Sequence, residues 1–219
     1  MATAPSEDPM YTLYYMPGAA SLVVHWLLIE TGTAYDLKRV DGEAREHKRP
    51  EYLKLNPNGV VPVMLIDGEP VYESAALALL LAERHPEAGL APAPGTHARA
   101  LYLQWMLHLA NTLQPAFRAW FYPNEPAGEA HAAAVAECAR ARIESAWDRL
   151  EAHLAAHGPW ITGSRPSAAD FHAGMLARWS RNMPRPATEW PSIAALVSRL
   201  RARPSFRVLN EREGLTEWL

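Results

Sequence analysis

The spacing of apolar and polar positions changes once along this chain, and the change predicts two domains. In residues 10–86, short runs rich in aromatic and β-branched residues alternate with helical patterns. From residue 96 onward, apolar positions recur every three or four residues, and no further strand pattern occurs. The sequence therefore predicts an α/β domain at residues 10–86 and an all-α domain at residues 96–219. Residues 87–95, rich in Ala, Pro and Gly, have the composition of a linker.

The first part of the α/β domain is predicted to be strand, tight turn and helix. Residues 11–15 are aromatic and β-branched, which suits a strand. Residues 16–18, Met-Pro-Gly, end that strand because proline has no N–H and glycine permits a sharp turn. Apolar positions at helical spacing follow from Leu22, and Gly32 marks the helix end. A second strand at residues 35–40 completes a βαβ unit, which implies parallel pairing.

The remainder of this domain is predicted to be a hairpin followed by a helix. Two apolar runs are joined around Asp67-Gly68, a strong hairpin signal. Pro62 cannot donate a ladder hydrogen bond and so marks a strand start or edge. Glu73-Ser74 then opens a helix. The predicted domain is thus a four-stranded sheet with helices.

Composition and charge exclude several classes of function. The net charge of −3 implies no general attraction to nucleic acid or to a membrane surface. No apolar run is long enough to cross a bilayer, and residues 1–9 lack the apolar segment of a secretory signal, so we expect a soluble protein with a frayed N-terminal tail. The single cysteine, Cys138, excludes an intrachain disulfide and a cysteine-based zinc site, and agrees with a cytoplasmic location. Its helix leans apolar, so we expect Cys138 to be buried.

One hydroxyl, that of Ser21, lies at the start of the first predicted helix. A helix start carries free N–H groups and a partial positive charge, which together favour an anion. A small-molecule thiol held there would be pushed towards thiolate by about 0.3–1 kcal/mol from the dipole and about 1.5–3 kcal/mol from a hydroxyl hydrogen bond. The sum is on the order of two pKa units. A simple capping serine explains Ser21 as well, so this stretch alone leaves both interpretations open.

Four motifs, taken in their order along the chain, resemble the glutathione transferases. They are residues 15–22 (YMPGAASL), residues 56–62 (NPNGVVP), the pair Glu73-Ser74, and residues 167–170 (SAAD). The first resembles the opening of the bacterial beta-class branch, the second the loop that leads to the family's cis-proline, and the last its capping box. The resemblance implies a thioredoxin-like α/β N-terminal domain that binds glutathione, and an all-α C-terminal domain that holds an electrophile.

The same resemblance implies roles for individual residues. Val61, followed by Pro62, would offer its backbone N–H and C=O to the cysteinyl part of glutathione, as a strand edge does for an added strand. Ser74, at a helix start, suits the γ-glutamyl carboxylate, and Glu73 suits the α-ammonium group. An N-cap role for Ser74 is compatible with this one.

The glycine carboxylate of glutathione needs a cation, and the sequence leaves its identity open. Arg45 is our first candidate, while His47 and Lys48 are alternatives in the same charged loop. A solvated basic stretch with no binding role explains these residues equally well.

Two positions depart from the beta-class pattern. Ala20 stands where that branch has cysteine, so a mixed disulfide with glutathione at this position is impossible, and Gln114 stands where it has a histidine. Stabilisation of the thiolate would then fall to a hydroxyl. We rank Ser21 first, because it lies at the helix start, and Tyr15 second, because a strand tyrosine is often part of the core.

The sequence therefore predicts a cytoplasmic, homodimeric glutathione transferase acting in detoxification. Its cosubstrate would be glutathione and its partner substrate a small hydrophobic electrophile, without metal, nucleic acid or membrane. One alternative is a non-catalytic binding protein of the same fold, favoured by Ala20 and Gln114 and opposed by the glutathione-binding motifs. Another is a specialised glutathione-dependent lyase, isomerase or dehalogenase. Aromatic and imidazole side chains that could line the electrophile site, although helical spacing explains most of them as core, are Trp105, His108, Trp120, Phe121, Tyr122 and Trp179.

Two further histidines, His153 and His157, lie four residues apart on a predicted helix, as metal ligands do. No glutamate follows His153 and no third ligand is evident. Surface histidines are therefore the simpler interpretation.

Overall fold

A computed structural model describes residues 10–218 of the protein, so the predicted N-terminal tail lies outside the described residues. In chain order the main elements are β1 (Tyr11–Tyr15), α1 (Leu22–Thr31), β2 (Tyr35–Arg39), α2 (Pro50–Leu53), β3 (Val63–Ile66), β4 (Glu69–Tyr72), α3 (Ser74–Arg84), α4 (His97–His108), a π-helical turn (Leu109–Leu113), α5 (Gln114–Phe121), α6 (Asn124–Ala127), α7 (Ala132–His157), α8 (Ala168–Trp179), α9 (Pro191–Arg201) and α10 (Pro204–Glu213). The predicted change from strands to helices is confirmed.

The four strands form one sheet in the order β2-β1-β3-β4. Strand β1 pairs with β2 in parallel and with β3 antiparallel, and β3 pairs antiparallel with β4. The βαβ unit and the hairpin predicted from the sequence are both present. At the hairpin turn Asp67 and Gly68 have φ values of 53° and 87°, the left-handed conformations that a tight Asp-Gly turn requires.

The two faces of the sheet are covered by different elements. Alternate residues of β1 are buried. On one face the ring of Tyr15 lies 5.9 Å from that of His25 on α1. On the other face Tyr14 packs edge-on against Tyr52 of α2, with ring centres 6.0 Å apart. The sheet thus has a core on both sides, which explains why its two central strands, β1 and β3, carry large apolar side chains at almost every position.

The compact units of the chain differ from the predicted domains at the C-terminus. One unit comprises residues 10–88 together with Ser205–Thr216, and the other comprises Gly89–Pro204 together with residues 217–218. Most of helix α10 therefore belongs with the sheet, because polar groups of α1 find their partners there. Trp26 Nε1, for example, donates a hydrogen bond to Ser205 Oγ at 2.9 Å.

In the helical unit, α4 and α5 run on from each other through the π-helical turn Leu109–Leu113. Pro115 follows immediately, at the second position of α5. A proline inside a helix has no N–H to donate and its ring crowds the preceding turn, and a wider turn relieves that crowding. Pro115 is therefore preceded by a local widening of the helix.

Helix α8 lies in the centre of the helical unit, with every residue from Ala168 to Arg178 buried. Its start carries the predicted capping box. The carboxylate of Asp170 accepts hydrogen bonds from the Ser167 N–H at 2.7 Å, from the Ser167 hydroxyl at 2.9 Å and from the Ile161 N–H at 2.8 Å. Burial nevertheless raises the pKa of this carboxyl group to about 6, although these hydrogen bonds lower it.

The expectation that Cys138 is buried is wrong, because its side chain is exposed on α7. The buried stripe of that helix begins at the next residue, Ala139, and continues through Ile143 and Trp147. One helical position is a rotation of about 100°, which is enough to turn Cys138 towards solvent. Within the described range no helix combines the length and apolar character needed to cross a bilayer.

Candidate functional site

The turn between β1 and α1 is closed by the side chain of Ser21. Its hydroxyl accepts a hydrogen bond from the Met16 N–H at 3.3 Å and donates one to the Met16 carbonyl at 3.2 Å. Gly18, with φ of 69°, supplies the left-handed residue that the turn needs. Ser21 is the residue directly before the first turn of α1, as the sequence predicted.

The structure also shows how the two candidate hydroxyls are placed. Ser21 is fully buried, so its hydroxyl reaches a bound thiolate only if the turn shifts and the Met16 bond is exchanged. Both Ser21 bonds are long for hydroxyl hydrogen bonds, so exchanging one costs little. Tyr15, at the end of β1, belongs to the buried core and is 8% exposed. A catalytic role for either residue stays a prediction.

A buried carboxylate from α10 holds the same turn. Glu213 accepts a hydrogen bond from the Gly18 N–H at 2.8 Å through one oxygen, and from His25 Nδ1 at 2.8 Å through the other. The far nitrogen of His25, Nε2, lies 3.1 Å from the Tyr35 hydroxyl, which also bonds to Arg212. Sequence reasoning missed this network, since a histidine in a helix and a glutamate near the C-terminus give no signal that they meet.

The second motif, residues 56–62, forms a tightly bonded loop before β3. The buried side chain of Asn56 donates to the Val60 carbonyl at 2.8 Å and accepts from the Asn58 N–H at 3.0 Å. The Tyr52 hydroxyl donates to the same Val60 carbonyl at 2.9 Å. The peptide bond between Val61 and the following proline is cis. Asn56 thus fixes the backbone next to Val61, a role that the motif alone did not assign.

Gly59 is required in this loop for two reasons. Its φ is 59°, a conformation that other residues adopt only with strain. A Cβ atom there would also lie 2.9 Å from the His47 carbonyl oxygen and 2.9 Å from Lys48 Nζ. The loop therefore closes against the basic segment that contains Arg45.

Glu73 precedes the first residue of α3 in a strained backbone conformation, with φ of 78° and ψ of 109°. Such conformations cost on the order of 1–3 kcal/mol in residues other than glycine and are often found at functional sites. Its side chain is exposed, whereas Ser74, the first residue of α3, is buried. The pair thus presents a free carboxylate next to a helix N-terminus.

Strand register brings three of the predicted segments to one end of the sheet. Val63, at the start of β3, is opposite Tyr14 near the end of β1 and opposite Tyr72 at the end of β4. The β1–α1 turn, the Val61–Pro62 pair and the Glu73–Ser74 pair therefore emerge together. Val61 also packs in one cluster with Met16 and Ala19 of that turn. This end of the sheet, where α1 and α3 also begin, is the candidate site.

The three basic candidates for the glycine carboxylate are not equivalent. Lys48 Nζ donates to the Asn58 carbonyl at 3.3 Å. Burial, together with the neighbouring Lys48 and Arg45 charges, lowers the pKa of His47, so its imidazole is neutral at neutral pH. Arg45 is exposed and has a left-handed backbone with φ of 50°. Of the three it is the permanent cation whose side chain is not already used to hold the loop.

In the helical unit, three aromatic rings form a cluster at the end of α5. The rings of Phe117 and Phe121 are stacked with centres 5.9 Å apart, and Trp179 lies 5.8 Å and 6.0 Å from them. Phe121 is 46% exposed, so the cluster presents an apolar surface. Gln114, at the start of α5, accepts a hydrogen bond at 2.8 Å from Nε2 of the buried His172, whose pKa burial lowers to about 4.

Comparison with known proteins gives one family for both parts of the chain. Residues 9–83 match the sequence model of the glutathione S-transferase N-terminal domain, and residues 125–219 match that of the C-terminal domain. A glutathione S-transferase of Escherichia coli O157:H7 is 30% identical over 93% of this chain and 98% of its own length. The chain belongs to the glutathione S-transferase family.

Solved structures agree with this family assignment. A glutathione transferase homologue from Sulfitobacter with bound glutathione has a TM-score of 0.86 and 28% identity, covering 93% of this chain and 98% of that one. A beta-class glutathione S-transferase from Sphingomonas chungbukensis has a TM-score of 0.80 and 30% identity, covering 94% of this chain and all of that one. The thioredoxin-like domain followed by a helical domain, and the resemblance to bacterial transferases, are thus confirmed.

Proposed function

We propose that this glutathione S-transferase family member binds glutathione at the end of the sheet where β1 and β4 finish, and conjugates its thiolate to a small hydrophobic electrophile. The observation that carries the proposal is the convergence of two helix N-termini, the Val61 backbone and the Glu73 carboxylate at one place. Each group suits one part of glutathione. The Val61 backbone suits the extended peptide, Glu73 and the start of α3 suit the ammonium and carboxylate groups of the γ-glutamyl residue, and the start of α1 suits the thiol.

Each part of the tripeptide has a partner in this scheme. Val61 lies outside the strand ladder, which begins at Val63, so its backbone groups can pair with the cysteinyl residue. Glu73 binds the α-ammonium group, and the start of α3 at Ser74 binds the γ-glutamyl carboxylate. Arg45 binds the glycine carboxylate. Pro62 follows Val61 directly and has no N–H to donate to the ligand.

The chemical step requires a thiolate at neutral pH. The N-terminus of α1 lowers the thiol pKa through its dipole. A hydroxyl supplies the remaining stabilisation: Ser21 after exchange of its Met16 bond, or otherwise Tyr15. The thiolate sulfur then attacks the electrophilic carbon, and the displaced electron pair goes to the leaving group, to the epoxide oxygen or to the oxygen of an unsaturated carbonyl. Within the helical unit, the aromatic cluster of Phe117, Phe121 and Trp179 exposes the ring of Phe121, which suits an apolar molecule.

We further propose that the protein works as a homodimer in the cytoplasm, where glutathione is kept reduced. Leu103 and Leu107 lie one turn apart on α4 and are 37% and 52% exposed. Exposed leucines at this spacing suit a second copy of the chain. Light scattering of the wild type and of Leu107→Glu tests this, since the charged variant is expected to dissociate.

The test of function is calorimetric titration of glutathione into the wild type, Glu73→Gln and Glu69→Gln. Glu69 is an exposed glutamate on the neighbouring strand and serves as the matched control. We expect Glu73→Gln to weaken binding at least about tenfold, through loss of a charge-assisted hydrogen bond, while the control binds as the wild type does. No heat and no thermal shift with millimolar glutathione would refute the proposed site.

The non-catalytic alternative is favoured by one observation, the full burial of Ser21 beside Ala20. An activity screen separates it from the transferase. Turnover of an aryl halide, an epoxide or an unsaturated carbonyl in the presence of glutathione supports the transferase. Tight glutathione binding with no turnover and no thiolate absorbance supports the binding protein instead.

A further inference from the structure

Two imidazoles at the end of α7 lie side by side. His157 is the last residue of the helix, and His153 lies one turn before it. Their ring centres are 5.1 Å apart and their planes are inclined by 47°. His157 is exposed and His153 half-buried, so the pair is open to solvent on one side.

This separation fits two imidazoles bound to one metal ion. A metal bonded to a ring nitrogen at about 2.1 Å lies about 3.2 Å from the ring centre. For nitrogen–metal–nitrogen angles of about 90° to 109°, the two ring centres are then about 4.5 to 5.2 Å apart. The observed separation of the ring centres, 5.1 Å, falls within this range.

The tautomer of His153 is already fixed in the form that a ligand needs. Its Nε2 lies 2.7 Å from the Ile161 carbonyl oxygen, to which it donates its proton. The lone pair of the neutral ring is therefore on Nδ1. An N–H bonded to a backbone carbonyl is the usual support of a metal-bound histidine. The ring of Trp105, centred 4.8 Å away, packs against His153 and restricts its rotation.

The surrounding charges decide which ions fit. The carbonyl groups at the end of α7 carry a partial negative charge, while Arg149, one turn before His153, opposes any cation. Among residues 10–218 no three His, Cys, Asp or Glu side chains converge as metal ligands, so water completes the coordination. Affinity then depends on imidazole alone, which selects Cu²⁺, Ni²⁺ and Zn²⁺ over Mg²⁺ and Ca²⁺.

We propose that His153 and His157 form a two-histidine site for a divalent transition metal, bound most tightly as Cu²⁺. The site lies within the helical unit and is independent of the proposed glutathione chemistry. Metal there would bridge two successive turns at the end of α7. Neither histidine has a role in the proposed reaction, so metal binding and glutathione binding can be measured separately.

The experiment is titration of untagged protein with Cu²⁺ in the absence of glutathione, which itself binds copper, followed by electron paramagnetic resonance. The variants are His153→Gln and His157→Gln, and His131→Gln is the control because His131 is a single exposed histidine at the other end of α7. We expect one ion bound through two imidazole nitrogens, at least about tenfold weaker binding in either site variant, and no change in the control.

His157→Gln keeps the test decisive, since this side chain is exposed and its loss leaves the Ile161 contact intact. Unchanged Cu²⁺ affinity in His157→Gln, or a spectrum with one imidazole nitrogen in the wild type, would overturn the proposal. Zn²⁺ and Ni²⁺ should bind more weakly than Cu²⁺, and Mg²⁺ should not compete.

Discussion

The Gly18 N–H donates a hydrogen bond to Oε2 of Glu213 at 2.8 Å, joining residues 195 positions apart. The other carboxylate oxygen is bound by His25 at 2.8 Å, and both side chains are fully buried. A buried carboxylate between two donors is stable only while both remain in place. The β1–α1 turn, on which the proposed thiolate site depends, is therefore held by the last turn of α10.

Removal of this carboxylate should destabilise the protein. We expect Glu213→Ala to lower the free energy of unfolding by about 3 kcal/mol, because the His25 and Gly18 donors are left buried without a partner. Urea denaturation measures the effect. Glu211→Ala is the matched control, since Glu211 lies on the same helix and forms only an exposed pair with Arg207 at 3.7 Å. Equal effects in the two variants would show that the network contributes nothing.

The source of thiolate stabilisation can be assigned by comparing Ser21→Ala with Tyr15→Phe. We expect Ser21→Ala to raise the pKa of bound glutathione by about one unit, through loss of a hydroxyl hydrogen bond to charged sulfur. It should also destabilise the fold by about 1 kcal/mol, because the bonds to Met16 are lost. Ultraviolet absorbance of the thiolate against pH gives the pKa. A raised pKa in Tyr15→Phe alone would transfer the role to Tyr15.

Arg45 should recognise the glycine end of glutathione. We expect Arg45→Gln to weaken glutathione binding about five- to tenfold, with the exposed Arg49 of the same loop, changed to Gln, as the unaffected control. Calorimetry with glutathione esterified at its glycine carboxylate sharpens the test. The ester should bind the wild type and Arg45→Gln equally. If Arg45→Gln also weakens the ester, the arginine acts on the loop rather than on the carboxylate.

Asn56 should contribute both to stability and to binding. We expect Asn56→Ala to cost about 2 kcal/mol of unfolding free energy, since the Asn58 N–H loses its acceptor and the Val60 carbonyl keeps only the Tyr52 hydroxyl. Glutathione binding should weaken as well, because Val61 follows directly. The exposed Asn58→Ala is the control. If Asn56→Ala is destabilised but binds glutathione as the wild type does, the loop has no role in glutathione recognition.

Asp170 should contribute to the free energy of unfolding at acidic pH. Burial raises the pKa of this group to about 6 from its ordinary 3.8. The native state then binds more protons than the unfolded chain between these values, so this contribution to stability is fully present at low pH and lost as the pH rises through about 6. Asp170→Asn does not titrate. The stability difference, wild type minus variant, should be about 2 kcal/mol larger at about pH 4.5 than at about pH 7.5.

The free energy of unfolding is measured by urea denaturation at both pH values. Subtracting the variant from the wild type cancels the contributions of the other titrating groups, provided that both proteins unfold in one step. The exposed Asp148 would be unsuitable as a control because it accepts a hydrogen bond from Trp190. Asp36, an exposed strand residue, serves instead. A difference for Asp170→Asn that stays constant with pH, or grows towards alkaline pH, would contradict the assigned shift.

Local patterns predicted most of the fold because each element carries its own signal. Asp67-Gly68 specified the hairpin, Glu73-Ser74 the start of α3 and Ser167 with Asp170 the start of α8, since turn and cap chemistry depends on neighbouring residues alone. The placement of α10 had no such signal. Its amphipathic pattern fits either unit, and only distant partners such as Trp26 and His25 decide between them.

The segments that form the candidate site could be predicted from the sequence, whereas their detailed geometry could not. Motifs located Ser21, Val61 and Glu73, and strand register brings their segments to one end of the sheet. The side-chain rotamers could not be predicted, because nothing in the sequence shows that the Ser21 hydroxyl turns towards Met16. The histidine pair on α7 likewise needed the Ile161 carbonyl, which lies beyond the helix end, before its tautomer was defined.

The location of α10 has a consequence for protein synthesis. His25 leaves the ribosome 188 residues before Glu213, its buried partner. At elongation rates of about 5–20 residues per second, α1 waits roughly 10 to 40 s for the helix that covers it. During this time the sheet domain, although it is synthesised first, exposes the apolar and charged groups that later pack against α10. The sheet domain therefore completes its core only after Glu213 has been made, and until then it is a part of the chain that nascent-chain chaperones would need to protect.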